Sequence, residues 1–212
     1  MDSFRYRDQG RRSLDLIALP TVLAIVTVSC ISIGCGGGPY PRPTPGFPIE
    51  DLLLDESVFP EGWWADEPFD PEVRIPAEQI AVFFHRNECP FYILGAGHEI
   101  YRFFHGAESA AEGYPEESTI WFYREDGWGP WTVPPELPYQ SPVADQFRFA
   151  CSIEERSGDM TCRALGQYQE YIVLFDVEMN PKYPDCMSFT DLERILVAID
   201  ERMASYTEQD SE

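Results

Sequence analysis

The first 34 residues constrain the chain most, because they have the composition of an export signal and not that of a folded element. Four arginines come first, and an apolar run follows over residues 16–34. A basic head, an apolar core and small residues near its end are typical of a secretory signal peptide. We therefore predict that the rest of the chain folds outside the cytoplasm, where cysteines can pair.

A cysteine stands at the end of this apolar run. Ser32, Ile33, Gly34 and Cys35 are followed by three further glycines. This order resembles the signal of bacterial lipoproteins, in which the cysteine after the cut becomes the lipidated first residue. The resemblance covers residues 1–38 only. It implies a palmitate-bearing lipid on Cys35 and a protein held at the extracytoplasmic face of the cell membrane.

The apolar run also permits a second interpretation, an uncleaved signal anchor. Its 19 residues, at about 1.5 Å rise each in a helix, would span roughly 28 Å, close to the thickness of a hydrocarbon core. In both cases the arginines stay on the inner side and the bulk of the chain is exported. The membrane, reached through an N-terminal lipid or through this anchor, is thus a predicted partner.

Composition divides the chain into four parts. Residues 1–34 are the predicted signal peptide, and residues 35–50 form a tether because they are rich in glycine and proline. Residues 51–206 are long enough for one extracytoplasmic domain. Residues 207–212 form an acidic tail.

The chain is strongly acidic, with a formal net charge of −22 and only one lysine. Such a surface repels phosphate backbones, so we expect no nucleic-acid partner. His85, His98 and His105 have no spacing typical of a metal motif, and no calcium-loop pattern occurs. We therefore predict neither a metal nor a cofactor.

Four cysteines remain in the exported part, which predicts two disulfides with three possible connectivities. Cys151 and Cys162 flank a turn-like stretch at residues 156–159, and a hairpin there would place them opposite one another. This favours a Cys151–Cys162 bridge. The second bridge is then Cys89–Cys186.

Apolar patterning predicts an α+β domain. Runs typical of strands occur near residues 80–85, 97–105, 147–153, 160–165 and 171–175. A three-to-four spacing indicates a helix from Ala107, which Gly113 and Pro115 would kink or delay. We expect a mainly antiparallel sheet with the helices packed on one face.

The last helix has the clearest pattern. Thr190 and Glu193 match a capping box at its start. The apolar residues that follow recur at helical spacing and form one stripe: Leu192, Ile195, Leu196, Ile199 and Met203.

Tryptophans in loops are the most suggestive functional residues. Trp63, Trp64, Trp128 and Trp131 lie among prolines and glycines. Exposed rings in loops stack on sugars or bind apolar peptides, so these four residues are a possible ligand-binding set. The alternative is that the rings cover the core, since exposed apolar patches are unfavourable without a partner.

The sequence contains no motif for catalysis. It has no G-x-S-x-G elbow, no S-x-x-K and no C-x-x-C. We therefore expect a membrane-anchored, non-enzymatic binding or sensor-like domain whose ligand or protein partner the sequence does not name. Two alternatives stay open: a glycan- or peptide-binding module that uses the tryptophan loops, and a small envelope hydrolase.

Lipidation at Cys35 is directly testable. In the membrane fraction of cells that express the chain, we expect the first residue of the mature protein to be a lipid-modified Cys35, detected by mass spectrometry. An unmodified peptide that spans Gly34 and Cys35 would contradict processing at this position and favour the uncleaved anchor.

Overall fold

The structure is a computed structural model that describes residues 48–71, 77–87, 89 and 94–209. The predicted signal peptide, Cys35 and most of the predicted tether lie outside these residues, as does the end of the predicted tail. Within the described ranges, no helix combines the length and the apolar character needed to cross a membrane.

The fold is a six-stranded sheet with two α-helices. Every neighbouring pair of strands is antiparallel, and the strand order is β1-β2-β3-β6-β5-β4. The strands are β1 (Trp64–Ala65), β2 (Ala77–Arg86), β3 (Leu94–Phe103), β4 (Gln146–Ile153), β5 (Met160–Tyr168) and β6 (Tyr171–Met179). The helices are α1 (Ala107–Trp121) and α2 (Phe189–Gln209), and two short 3-10 turns (Ile49–Leu52 and Glu56–Val58) precede β1.

The two helices lie on opposite faces of the sheet. On β6, Val173 and Phe175 pack in the cluster that contains the α2 stripe, whereas Ile172 and Leu174 pack in the cluster that contains α1. The predicted α+β class, with an antiparallel sheet and two disulfides, is confirmed. The expectation that the helices share one face is wrong, because a strand that is apolar at every position needs cover on both faces.

Helix α1 forms although it contains Gly113 and Pro115, two residues that disfavour a helix interior. It begins at Ala107 and continues without a break through Pro115, so the predicted later start is wrong. Gly113 lets the helix approach the sheet, since a Cβ there would lie 3.1 Å from the Phe103 ring. The burial of Tyr114, whose hydroxyl donates to the Leu165 carbonyl at 3.1 Å, helps to offset the backbone hydrogen bond that proline cannot make.

The start of α2 differs from the prediction by two residues. The capping box is formed by Ser188 and Asp191, because the Ser188 hydroxyl accepts from the Asp191 N–H and the Asp191 carboxylate accepts from the Ser188 N–H. Thr190 and Glu193 therefore already lie inside the helix. The predicted apolar stripe is confirmed, since all five of its residues are buried.

The ends of the described chain are packed more tightly than composition suggests. Ile49, within the predicted tether, is 2% exposed and belongs to the core beside Leu52 and Phe59. At the other end, α2 continues to Gln209 and so includes the first three residues of the predicted tail.

Both predicted disulfides are present. Cys151 and Cys162 are directly opposite in the β4–β5 pair, with Cα atoms 4.0 Å apart. Cys89 follows β2 and is bonded to Cys186 in the loop before α2, across a sequence separation of 97 residues. The first bridge staples a hairpin, and the second joins distant parts of the chain.

The two bridges should contribute unequally to stability. The loop-entropy relation gives about 5 kcal/mol for the separation of 97 residues and about 3 kcal/mol for the separation of 11. We expect the Cys89→Ala/Cys186→Ala variant to lose about 2 kcal/mol more unfolding free energy in urea than the Cys151→Ala/Cys162→Ala variant. Equal losses, with equal slopes against urea, would contradict this ranking.

Candidate functional site

Trp63 is a residue of the core. It is 6% exposed, its ring lies 5.3 Å from that of Phe59, and its indole N–H donates to the Cys186 carbonyl at 3.1 Å. Its neighbour Trp64 points to the other side of the chain and is 42% exposed. The two adjacent tryptophans therefore do not form one platform.

Trp128 and Trp131 belong to a loop that covers the outer edge of β4. The loop bonds to that edge through Gly129 and Thr132, whose N–H groups donate to the carbonyls of Ile153 and Cys151. An edge strand with unpaired backbone groups is prone to unwanted pairing, and this loop satisfies those groups. Both tryptophans are half-buried as a result.

The ring of Trp131 already has a partner. The Arg163 guanidinium lies 4.8 Å from its centroid, its indole N–H donates to the Tyr123 carbonyl, and Phe122 packs against it edge to face. This cation–π contact occupies the face that a sugar would need. The structure thus does not bring the four predicted tryptophans together, and only Trp64 among them is strongly exposed.

Helix α1 covers only part of its face of the sheet. It packs over Tyr101, Leu165, Ile172 and Leu174. Beyond the residues that α1 covers, two further rows of cross-strand neighbours run from β2 to β5 on the same face of the sheet. We call these rows the open face; they are Phe83, Gly97, Asp176 and Arg163, then His85, Gly95, Glu178 and Thr161.

The two glycines of β3 form the floor of the open face. A Cβ on Gly97 would lie 2.6 Å from Asp176 Oδ1 and 3.4 Å from the Phe83 ring, so both side chains lean over this position. A Cβ on Gly95 would have one heavy atom of the described residues within 4 Å, Glu178 Oε2 at 4.0 Å. The space above Gly95, between His85 and Glu178, is a recess in the face.

Aromatic side chains border the open face on the β2 side. The Trp64 ring lies 4.7 Å from the His85 ring, and the Phe69 ring lies 5.2 Å from the Phe83 ring. Phe83 is 46% exposed and Phe69 is 37% exposed. His85 also contacts the Asp66 carboxylate at 2.8 Å, which fixes the orientation of its ring.

Three carboxylates lie in or beside the open face, Asp176 and Glu178 of β6 within it and Glu99 of β3 next to it. Burial raises the pKa of Asp176 to about 6, although the positive charge of Arg163 opposes this shift. Burial, together with the charges of Asp176 and Glu117, raises the pKa of Glu99 to about 7. The pKa of Glu178 is raised for the same two reasons, burial and the charge of Asp176. Hydrogen bonds oppose these shifts in part, because Glu99 accepts from Tyr101 and Glu178 accepts from the Gly95 backbone.

A cavity of about 140 Å³ adjoins the open face where β5 begins and β6 ends. It is lined by Thr161 and Glu178, which belong to the face, and by Trp128, Glu154 and Asp159. Glu178 therefore borders both the recess and the cavity. The two spaces lie side by side along the same end of the sheet.

The histidines do not form a site. His85 pairs with Gly95 and His98 pairs with Val82, so these two histidines are not cross-strand neighbours. His98 lies in the core, where it accepts from the Leu54 N–H at 3.1 Å and where burial lowers its pKa to about 3. Among the described residues, no group of three or more histidine, cysteine, aspartate or glutamate side chains is arranged to hold a metal ion.

A second polar cluster is structural. Asp200 of α2 is 4% exposed and accepts hydrogen bonds from the hydroxyls of Tyr139, Ser141 and Tyr168, at 2.5, 2.7 and 2.7 Å. The cluster connects α2 to the sheet and to the long loop before β4. It lies on the face opposite the open face and is closed to solvent.

The open face was missed by sequence reasoning, although one signal was available. Gly95 and Gly97 alternate within strand β3, and glycine in a strand interior often marks a place where something approaches the backbone closely. The acidic residues gave no signal, because carboxylates are abundant throughout this chain.

Comparison with known proteins assigns the chain to no family. The sequence matches no protein-family model and no curated protein sequence. A solved structure, the extracellular domain of PknH from Mycobacterium tuberculosis, is similar over 72% of this chain and 94% of its own length, with a TM-score of 0.45 and 10% sequence identity. At this identity no residue role is transferred from one chain to the other.

The raised pKa of Glu99 makes stability depend on pH. Between the ordinary value of 4.5 and about 7, the folded state binds more protons than the unfolded state, so stability falls as the pH rises through this window. We expect Glu99→Gln to stabilise the protein at pH 8 by on the order of 2 kcal/mol, with the gain shrinking toward pH 4.5. Urea unfolding at several pH values measures this.

The matched control for that measurement is Glu193→Gln. Glu193 is exposed on α2, on the opposite face of the sheet. This variant should follow the wild-type pH dependence. A Glu99→Gln variant that is no more stable than wild type at pH 8 would show that the carboxylate is not penalised in the folded state.

Proposed function

We propose that the chain is an extracytoplasmic, non-enzymatic binding or sensor-like domain, held at the membrane through its N-terminal segment, with the open face as its binding surface. Two disulfides support the location, because such bonds persist in oxidising compartments and are rare in reducing ones. The lipoprotein-like segment that ends at Cys35 supports the attachment.

The observation that carries the binding function is the exposed aromatic border of the open face. Three large aromatic rings are exposed side by side, which is unfavourable in water unless a partner covers them: Trp64, Phe69 and Phe83. Next to them stand carboxylates whose pKa values burial has raised. A surface of this kind costs stability, and binding is the physical reason to keep it.

The glycan-binding alternative has less support. Of the four tryptophans considered for it, Trp63 lies in the core and the ring of Trp131 is stacked against Arg163. Trp64, beside β2, and the half-buried Trp128, in the loop beside β4, would then have to act as separate sugar platforms. A binding surface centred on the open face uses Trp64 together with the phenylalanines and carboxylates beside it.

Site-specific photocrosslinking in intact cells tests this proposal. A photoreactive phenylalanine analogue replaces Phe83 on the open face of the full chain, and in the matched control it replaces Val197, which is 39% exposed on α2. We expect a discrete adduct from position 83 and none from position 197. No adduct at position 83, or the same adducts at both positions, would contradict a binding role for the open face.

A further inference from the structure

We propose that the open face binds a basic, extended peptide segment of a partner protein, with one lysine or arginine side chain in the recess above Gly95. This inference deepens the function proposed above and rests on it. It follows from the shape of the open face, its charge, its aromatic border and the second cavity beside it.

The recess has room for an incoming side chain. The face is blocked at Gly97, where Asp176 and Phe83 lean together, but it is open at Gly95. The walls of the recess are the Trp64–His85 ring pair on one side and Glu178 on the other. A slim side chain that enters above Gly95 meets aromatic carbon along its length and carboxylate oxygen beside it.

The charge of the open face calls for a cation. Asp176, Glu178 and Glu99 on neighbouring strands face one arginine, Arg163. The guanidinium of Arg163 is itself turned toward Trp131 and donates to the Trp121 carbonyl. Glu178 accepts a hydrogen bond from the Gly95 backbone and Glu99 accepts one from Tyr101. Three carboxylates still face one positive charge, and a positively charged partner would offset this excess.

The aromatic border favours lysine or arginine over a bare metal ion. A cation near an aromatic face is attracted by the ring quadrupole. The methylene stem of a lysine or arginine side chain also packs well on exposed rings while the charged end reaches a carboxylate. Trp64 and Phe83 provide such rings, and Glu178 and Asp176 provide the carboxylates.

The neighbouring cavity favours a peptide over a single amine. It contains two further acidic groups, Glu154 and Asp159, and a second tryptophan, Trp128, next to the shared Glu178. Two strand spacings separate β3 from β5, which is about 10 Å. In the polyproline II conformation, an extended helix with three residues per turn and a rise of about 3.1 Å per residue, side chains three positions apart lie on the same side, about 9 Å apart. Two basic residues at that spacing would fill the recess and the cavity together.

The test uses the full chain in phosphatidylcholine nanodiscs and a fluorescently labelled acetyl-Lys-Ser-Ser-Lys-amide peptide, followed by fluorescence anisotropy at low salt. We expect saturable binding, with at least tenfold weaker binding of acetyl-lysine methylamide in competition and none of acetyl-Glu-Ser-Ser-Glu-amide. Equal competition by the single amine would overturn the peptide assignment.

Variants separate the open face from the general acidity of the chain. Glu178→Gln and Glu193→Gln remove the same charge, but only Glu178 borders the recess and the cavity. We expect the former to weaken peptide binding at least threefold and the latter less than 1.5-fold. Equal losses would mean diffuse attraction to an acidic protein and would overturn the inference.

Charge-neutral variants test the aromatic border. Trp64→Ala should weaken binding at least threefold, whereas Tyr123→Ala, which removes a 69% exposed ring elsewhere, should leave binding unchanged. Melting temperatures measured in parallel show whether each variant is folded. If Trp64→Ala is folded and binds as wild type does, the recess is not the site.

The two proposals can fail separately. If the basic peptide does not bind but the crosslinker at Phe83 still yields a discrete adduct in cells, the open face is a binding surface for other chemistry and only the basic-peptide inference is wrong. If neither result is obtained, the proposed function is wrong as well.

Discussion

The double-sided burial of β6 is the constraint on which the rest of the fold depends. Residues 171–175 are apolar at consecutive positions and are all buried, so the strand must lie in the interior of the sheet with a helix on each side. On one face of the sheet, α2 is joined by the residues that lead into β1, which pack in the same core cluster. On the other face, α1 is shorter than α2, and β6 turns polar at Asp176 where the cover of α1 ends. The open face is therefore the part of this face that α1 leaves uncovered.

Local patterns predicted the elements well, and the reason is that these elements have strong periodicity. The α2 stripe, the β4–β5 hairpin and its Cys151–Cys162 bridge follow from residues close together in sequence. The cap of α2 was misplaced because Ser188 and Thr190 both begin plausible capping boxes, and only tertiary packing selects Ser188. The same limit applied to α1, whose contacts with the sheet outweigh the propensities of Gly113 and Pro115.

The candidate site was beyond such patterns, because its residues come from four strands. His85, Gly95, Glu178 and Thr161 become neighbours only through strand register and strand order. A sequence that predicts each strand still leaves their order open, and the crossover that puts β6 between β3 and β5 is the decisive one. The tryptophans could be proposed from the sequence alone, since the ability of an indole ring to stack on a ligand does not depend on knowledge of the fold.

The burial of Ile49 shows where the folded domain begins. The first turns of the described chain pack on the α2 side, where the Leu54 N–H is held by His98. The folded domain therefore begins no later than Ile49. A shortened chain that started after Leu54 would leave the core on the α2 side without part of its cover.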